Sequence, residues 1–207
     1  MRLDRGRIDR SGDVIAVTKQ DSDIGVLDDA ALLTLYANGD RQAAGLLMDR
    51  IAPRVLGFAT RLLGDASEAE DVTQEAMLRL WKIAPDWEQA SAKVSTWVFH
   101  VANNLCIDRL RKRKGQPLDA IPELVDPQAS VDERLMETDR MNSLNAALDI
   151  LPDRQKQAVI LRHIEGLANP EIAQIMEISV EAVESLTARG KRALAAALAD
   201  KKEELMQ

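Results

Sequence analysis

Pro117, Pro122 and Pro127 follow one another at five-residue steps near the middle of a 207-residue chain. Proline has no amide proton to donate and clashes with the preceding turn, so a helix cannot run through such a stretch. On either side, apolar residues recur at three- and four-residue steps, and strand-like alternation is absent. The chain is therefore expected to be all-α, with two small helical domains joined by a flexible linker. The domains are placed at 26–115 and 132–200, the linker at 116–131, and a flexible arm without clear period at 1–25. A chain of this length can build two small cores.

In the first block, Leu32, Leu33 and Tyr36 share one helical stripe, and Ala44, Leu47, Met48, Ile51 and Val55 share another. Gly64-Asp65 breaks the pattern. Ser67, with Glu70 three residues on, reads as a capping box that starts the next helix. Val72, Ala76 and Leu80 form its apolar stripe, with Met77 and Trp81 beside it. Asp71, Gln74, Glu75 and Arg79 lie off that stripe. Pro85-Asp86 ends the helix. A loop from Trp87 to Lys93 precedes a helix expected from about Ser95 to Lys112. Its apolar side is Val98, Val101, Ala102, Leu105 and Leu110, and its polar side carries His100, Asn104, Asp108 and Arg111.

The C-terminal block holds a helix-turn-helix signature. Leu151-Pro152 opens a helix that Gly166 closes. Asn169 suits an N-cap and Pro170 a first helical position, with Ile172, Ala173 and Met176 inward. Glu177, Ile178 and Ser179 form the turn, and Ser179 caps a second helix from Val180 that buries Val183, Leu186 and Leu194. In such a motif the second helix enters the major groove.

The formal net charge is -7, but nucleic-acid binding follows local potential. Residues 108–115 hold five cations (Arg109, Arg111, Lys112, Arg113 and Lys114) against one acid, whereas residues 117–149 carry eight acids and two arginines. The single cysteine, Cys106, excludes an internal disulfide, reads as a buried helix residue and fits a reducing cytoplasm. No apolar run is long enough to span a membrane, and the first residues lack a signal peptide's apolar stretch, so no membrane insertion is expected. There is no P-loop, nucleophile elbow or zinc spacing, which points away from an enzyme. No cofactor and no metal are expected.

Both halves resemble the extracytoplasmic-function sigma factors of the sigma-70 family. The first resembles their region 2 through "DASEAEDVTQEAMLRLWK" and "STWVFHVANNLCIDRLRKRK". The second resembles region 4 through "LPDRQKQAVILRHIEGLANPEIAQIMEISVEAVESLTARGKRAL". The resemblance implies a non-catalytic subunit that directs RNA polymerase to promoters. Its partners would be the polymerase core (the beta-prime clamp), promoter DNA and a cognate anti-sigma factor.

Residue by residue, the resemblance implies that Asp71, Gln74, Glu75 and Arg79 grip the clamp. Asn104 would help read a flipped base of the minus-ten element, with the loop from Trp87 to Lys93 as pocket wall. Asp108 shares that helix face, and Arg109, Arg111, Lys112 and Arg113 would hold phosphates. Unpairing a base costs a few kcal/mol, which stacking at about 1–3 kcal/mol per base and phosphate contacts can offset. Trp97 suits either a stacking platform or a core position. The helix from Ser179 would read the minus-thirty-five duplex through Glu181, Ala182, Glu184, Ser185, Arg189, Lys191 and Arg192.

That last helix departs from the family pattern. Glu177 stands where the turn usually has glycine, Ala182 for threonine, Glu184 for lysine and Leu186 for arginine. Acids near phosphate are unfavourable, although a glutamate can accept from cytosine. The departures keep open an alternative reading, a sigma mimic that sequesters an anti-sigma factor. A simple helix-turn-helix repressor would leave the Asp71–Arg79 helix unexplained.

Overall fold

The structure is a computed structural model and describes residues 24–87, 93–114 and 144–204. The expected linker at 116–131 and nearly all of the arm at 1–25 lie outside the described residues. Every regular element among the described residues is helical.

In the first domain, α1 (Asp29–Ala37) is capped by Asp28, whose carboxylate accepts from the Ala31 amide at 2.8 Å. Helix α2 (Arg41–Leu63) starts on Asp40, runs through Pro53 and ends where Gly64 takes φ 69°. Glycine pays no Cβ penalty in that left-handed conformation. Helix α3 (Ala66–Ile83) passes into a 3₁₀ turn at Ala84–Asp86, and α4 (Val94–Lys114) follows. Around Phe58 and Phe99, packed edge to face with ring centroids 5.7 Å apart, α2, α3 and α4 close the core.

The second domain contains a helical stretch at 144–149. Next come α5 (Asp153–Val159), continued by a π turn at Ile160–Ile164, α6 (Asn169–Met176) and α7 (Val180–Glu204). Gly166, at φ 70°, ends the π turn as a closing glycine should. Gly190 lies buried in α7 against α5, where an added Cβ would fall 2.5 Å from Val159 Cγ2.

Three local expectations are corrected. Helix α3 is started by Asp65, whose carboxylate accepts from the Glu68 amide at 2.9 Å; Ser67 already lies inside the helix, so no Ser67–Glu70 capping box forms. Helix α6 begins one residue earlier than expected: Asn169 is its first residue, and Glu171 reaches back to the Ala168 amide at 2.8 Å. On α2 the buried alanine is Ala43 rather than Ala44, and Met48 is 40% exposed.

The two domains pack against each other, mainly α6 on α4, with the start of the second domain against α2. Arg54 Nη2 donates to the Glu165 carbonyl at 2.9 Å. Lys156, itself buried, reaches toward the Leu62 carbonyl at 3.5 Å while ion-paired to Asp149 at 2.6 Å.

Candidate nucleic-acid and polymerase interfaces

Helix α3 turns Val72, Ala76, Met77 and Leu80 inward, which leaves Asp71, Gln74, Glu75 and Arg79 on its outer side. Arg79 Nε and Glu75 Oε1 pair at 2.8 Å one turn apart. Beside this polar strip, α2 and α3 leave an apolar groove of about 400 Å³ lined by Met48, Leu56, Thr73, Met77, Leu78 and Trp81, with Glu70 and Gln74 also lining it. Leu78 is 54% exposed there. Sequence reasoning missed this groove, because it placed Met48 in the core; an apolar residue one position off the stripe gives no separate signal.

Helix α4 buries Val98, Phe99, Val101, Ala102 and Cys106. Burial, with Glu68 nearby, pushes the Cys106 thiol up to about 12 despite Arg109, so it stays protonated and behaves as a small apolar residue. Asn104 is exposed one turn beyond His100, and its Nδ2 lies 3.2 Å from His100 Nε2. Trp87 and Trp97 meet edge to face at 6.1 Å and both pack on the core half-buried. Of the pocket wall expected from Trp87 to Lys93, residues 88–92 lie outside the described residues; Lys93 is exposed.

The basic block divides in two. Arg113 is tied to the first domain's own groups: its Nη1 donates to the Leu63 carbonyl at 2.7 Å and its Nη2 pairs with Glu68 at 3.0 Å and Asp65 at 3.6 Å. Arg109 lies 4.0 Å from Glu68. Arg111 and Lys112 are exposed, Arg111 within 3.7 Å of Asp108. The structure thus brings Asn104, Asp108, Arg111 and Lys112 onto one solvent-facing helix and holds Arg109 and Arg113 closer to the body.

In the second domain, α6, the turn and α7 form the helix-turn-helix. Ser179 Oγ accepts from the Ala182 amide at 3.2 Å and caps α7. The turn closes as a Schellman motif, with the Ile178 amide on the Ala173 carbonyl at 3.1 Å and the Glu177 amide on that of Gln174 at 3.4 Å. Glu177 takes the left-handed position at φ 53° that the motif normally gives to glycine. Glu181, Glu184, Ser185, Arg189, Lys191 and Arg192 are exposed along α7, and Ala182 is half-buried. Its own amide and Ser179 hold the Glu181 carboxyl below its usual range. Glu184 Oε1 accepts from Asn169 Nδ2 at 3.4 Å.

Sequence reasoning also missed the contacts across the domain boundary. Lys93 Nζ pairs with Glu171 Oε1 at 2.9 Å, His100 Nε2 meets Glu177 Oε1 at 2.8 Å, and Arg54 Nε pairs with Glu165 Oε2 at 3.3 Å. Burial pushes the Glu171 carboxyl up, but the Ala168 amide and Lys93 outweigh it and its pKa is lowered. The hydrogen bond and charge of His100 lower that of Glu177. At Glu165 burial wins over Arg54 and Arg61, and the pKa is raised.

Taken together, a helix with a polar, basic outer face in one helical domain and a helix-turn-helix in a second define a two-domain, all-α protein of the helix-turn-helix class. Sigma-70 region 2 matches residues 47–116 and Sigma-70 region 4 matches residues 141–194. The ECF RNA polymerase sigma factor SigE of Mycolicibacterium smegmatis is 32% identical over 178 residues, spanning 83% of this chain and 68% of that protein. The ECF RNA polymerase sigma factor SigW of Bacillus subtilis is 29% identical over 173 residues, spanning 78% and 92%. The chain belongs to the extracytoplasmic-function sigma factors of the sigma-70 family. Its fold resembles that of CnrH, solved in complex with the cytosolic domain of CnrY, with TM-score 0.63, 22% identity and coverage of 83% and 97%. The sigma factor RpoE of Bartonella quintana, solved with the anti-sigma factor NepR, gives TM-score 0.56 at 22% identity over 73% and 93%. No helix among the described residues is long and apolar enough to cross a membrane.

Proposed function

We propose that this chain is a promoter-specificity subunit of RNA polymerase, acting in the cytoplasm without catalysis of its own. The observation that carries the reading is the pairing, in one chain, of α4's exposed Asn104 and cations with a capped helix-turn-helix. Residues 26–115 dock on the polymerase clamp through Asp71, Gln74, Glu75 and Arg79, with the adjoining groove taking apolar side chains. The same domain opens the minus-ten region. Asn104 offers both a donor and an acceptor to an extruded base, while Arg111 and Lys112 meet phosphates. Residues 132–200 read the upstream duplex through α7. Promoter DNA and the polymerase core are the working partners, and an anti-sigma factor is the inhibitory one, as for the RpoE relative.

The exposed acids on α7 favour one second reading, a mimic that occupies an anti-sigma factor without serving promoters. Adding the purified chain to sigma-free core polymerase with a genomic fragment library separates the two. Transcripts from discrete start sites support the initiation factor. Core binding without transcripts supports the mimic, and absence of core binding overturns the initiation-factor reading.

A further inference from the structure

Helix α7 carries its acids and its cations at different heights. Glu181 and Glu184 lie in its first two turns, and Arg189, Lys191 and Arg192 in the turns that follow. Glu181, Glu184, Ser185, Arg189 and Arg192 are exposed and recur at three- and four-residue steps, so they share one outer stripe. In a helix-turn-helix the first residues of the second helix reach base edges in the major groove. Cations further along such a helix meet phosphates, which position the protein without reading sequence. The acids of α7 therefore stand where bases are read.

The two acids differ in what holds them. The Glu181 carboxyl is engaged at the cap, where it accepts from its own amide and from Ser179. Glu184 is held from the neighbouring helix: Asn169, the first residue of α6, donates from Nδ2 to Glu184 Oε1 at 3.4 Å. A carboxylate has about four acceptor sites, so this contact leaves capacity for a further donor. A glutamate steadied in advance also loses less rotamer freedom when it binds.

The chemistry of a carboxylate then selects the base. An ionised glutamate accepts hydrogen bonds and donates none. In the major groove guanine presents N7 and O6, and thymine presents O4, all of them acceptors that repel it. Adenine N6 donates, but acceptor N7 stands beside it. Cytosine N4 donates with no acceptor on its own major-groove edge. A lysine, which the family pattern has at this position, would instead favour the acceptors of guanine.

We propose that Glu184 is a specificity-determining residue that reads one cytosine of the upstream duplex, with Asn169 as its positioning residue. The inference rests on the reading of α7 as the helix that enters that duplex, and adds the base it selects.

The test is transcription by core polymerase with the full chain on a template library whose upstream element is randomised above a fixed minus-ten region. A barcode in each transcript reports the upstream sequence it came from. The parent is expected to favour cytosine at one position about tenfold over the other bases. At that same position Glu184→Gln should move the preference to adenine, and Glu184→Lys to guanine. Asn169→Ala should keep cytosine but weaken its preference about threefold, with the other positions unchanged. A loss spread evenly over all positions would remove the positioning role of Asn169. Absence of a cytosine preference in the parent, or one that Glu184→Gln leaves in place, overturns the assignment while the initiation reading stands. Transcripts from no template with the parent overturn the initiation reading itself, and the inference falls with it.

Discussion

Asn103, buried on α4, donates from Nδ2 to the Ile175 carbonyl at 3.3 Å and so bridges the two domains. Ile175 is next to last in α6, where carbonyls lack partners within the helix. Asn103→Ala leaves this acceptor without its donor in a buried interface, at a cost of about 1–3 kcal/mol. The expected outcome is a lower denaturant midpoint, with the two domains unfolding in separate steps. Circular dichroism and tryptophan fluorescence, whose indoles all lie in the first domain, would then give non-coincident transitions.

Arg54 and Glu165 make stability depend on pH. Burial raises the Glu165 pKa, so the folded chain takes up its proton before the unfolded chain does. That contribution is fully present below the ordinary carboxylate value and lost as pH rises through the raised one. Arg54 offsets the cost of the charged form. Arg54→Ala should therefore destabilise by about 1–3 kcal/mol at pH 7, where Glu165 is a charged group with its side chain 6% exposed. The loss should shrink near pH 4 and be smaller when Glu165→Gln is already present, where Arg54 keeps its bond to the residue-165 carbonyl and loses only the ion pair. Chemical unfolding at the two pH values checks it.

Gly190 lets α7 approach α5. In Gly190→Ala the new methyl would stand 2.5 Å from Val159 Cγ2, and Val159 is a buried residue with little rotamer freedom. Alanine's better helix propensity, about 1 kcal/mol, offsets only part of the overpacking. The expected net loss is about 1–2 kcal/mol of unfolding free energy. Gly190→Ala paired with Val159→Ala should recover stability relative to Val159→Ala alone.

The groove beside α3 should count for polymerase binding and little for folding. Leu78→Asp changes an exposed side chain, so unfolding free energy should stay within about 0.5 kcal/mol. Affinity for core polymerase should fall about tenfold or more if Leu78 fills a pocket on the clamp. A labelled-protein titration with core polymerase measures it.

The helices themselves were legible, because burial follows the three- and four-residue steps. Leu47, Val72, Val98 and Ile172, all read as inward-facing, are wholly buried, and Gly64 and Gly166 stop their elements at positive φ. Helix starts were less so. Asp65 and Ser67 are both good cap formers two residues apart, and only the chain direction after Gly64 chooses Asp65. The roles of Arg109 and Arg113 were blurred for a related reason: a basic run shows charge, not which members turn back onto Glu68. The packing of the two domains left almost no trace, since Lys93, Arg54, Glu171 and Glu165 are residue types that ordinarily face water. Only Glu177, an acid at the position where the family pattern has glycine, stood out.

The account turns on α4 opening DNA, and Asn104 tests that most directly. On a promoter selected by run-off transcription, permanganate reactivity of minus-ten thymines would be compared for the parent chain and Asn104→Ala, on duplex and on pre-melted templates. The account predicts that the variant binds core polymerase normally, opens the duplex at least about tenfold less, and recovers on the pre-melted template only in part, because base contact as well as unpairing is lost. Equal opening by the two proteins would contradict it.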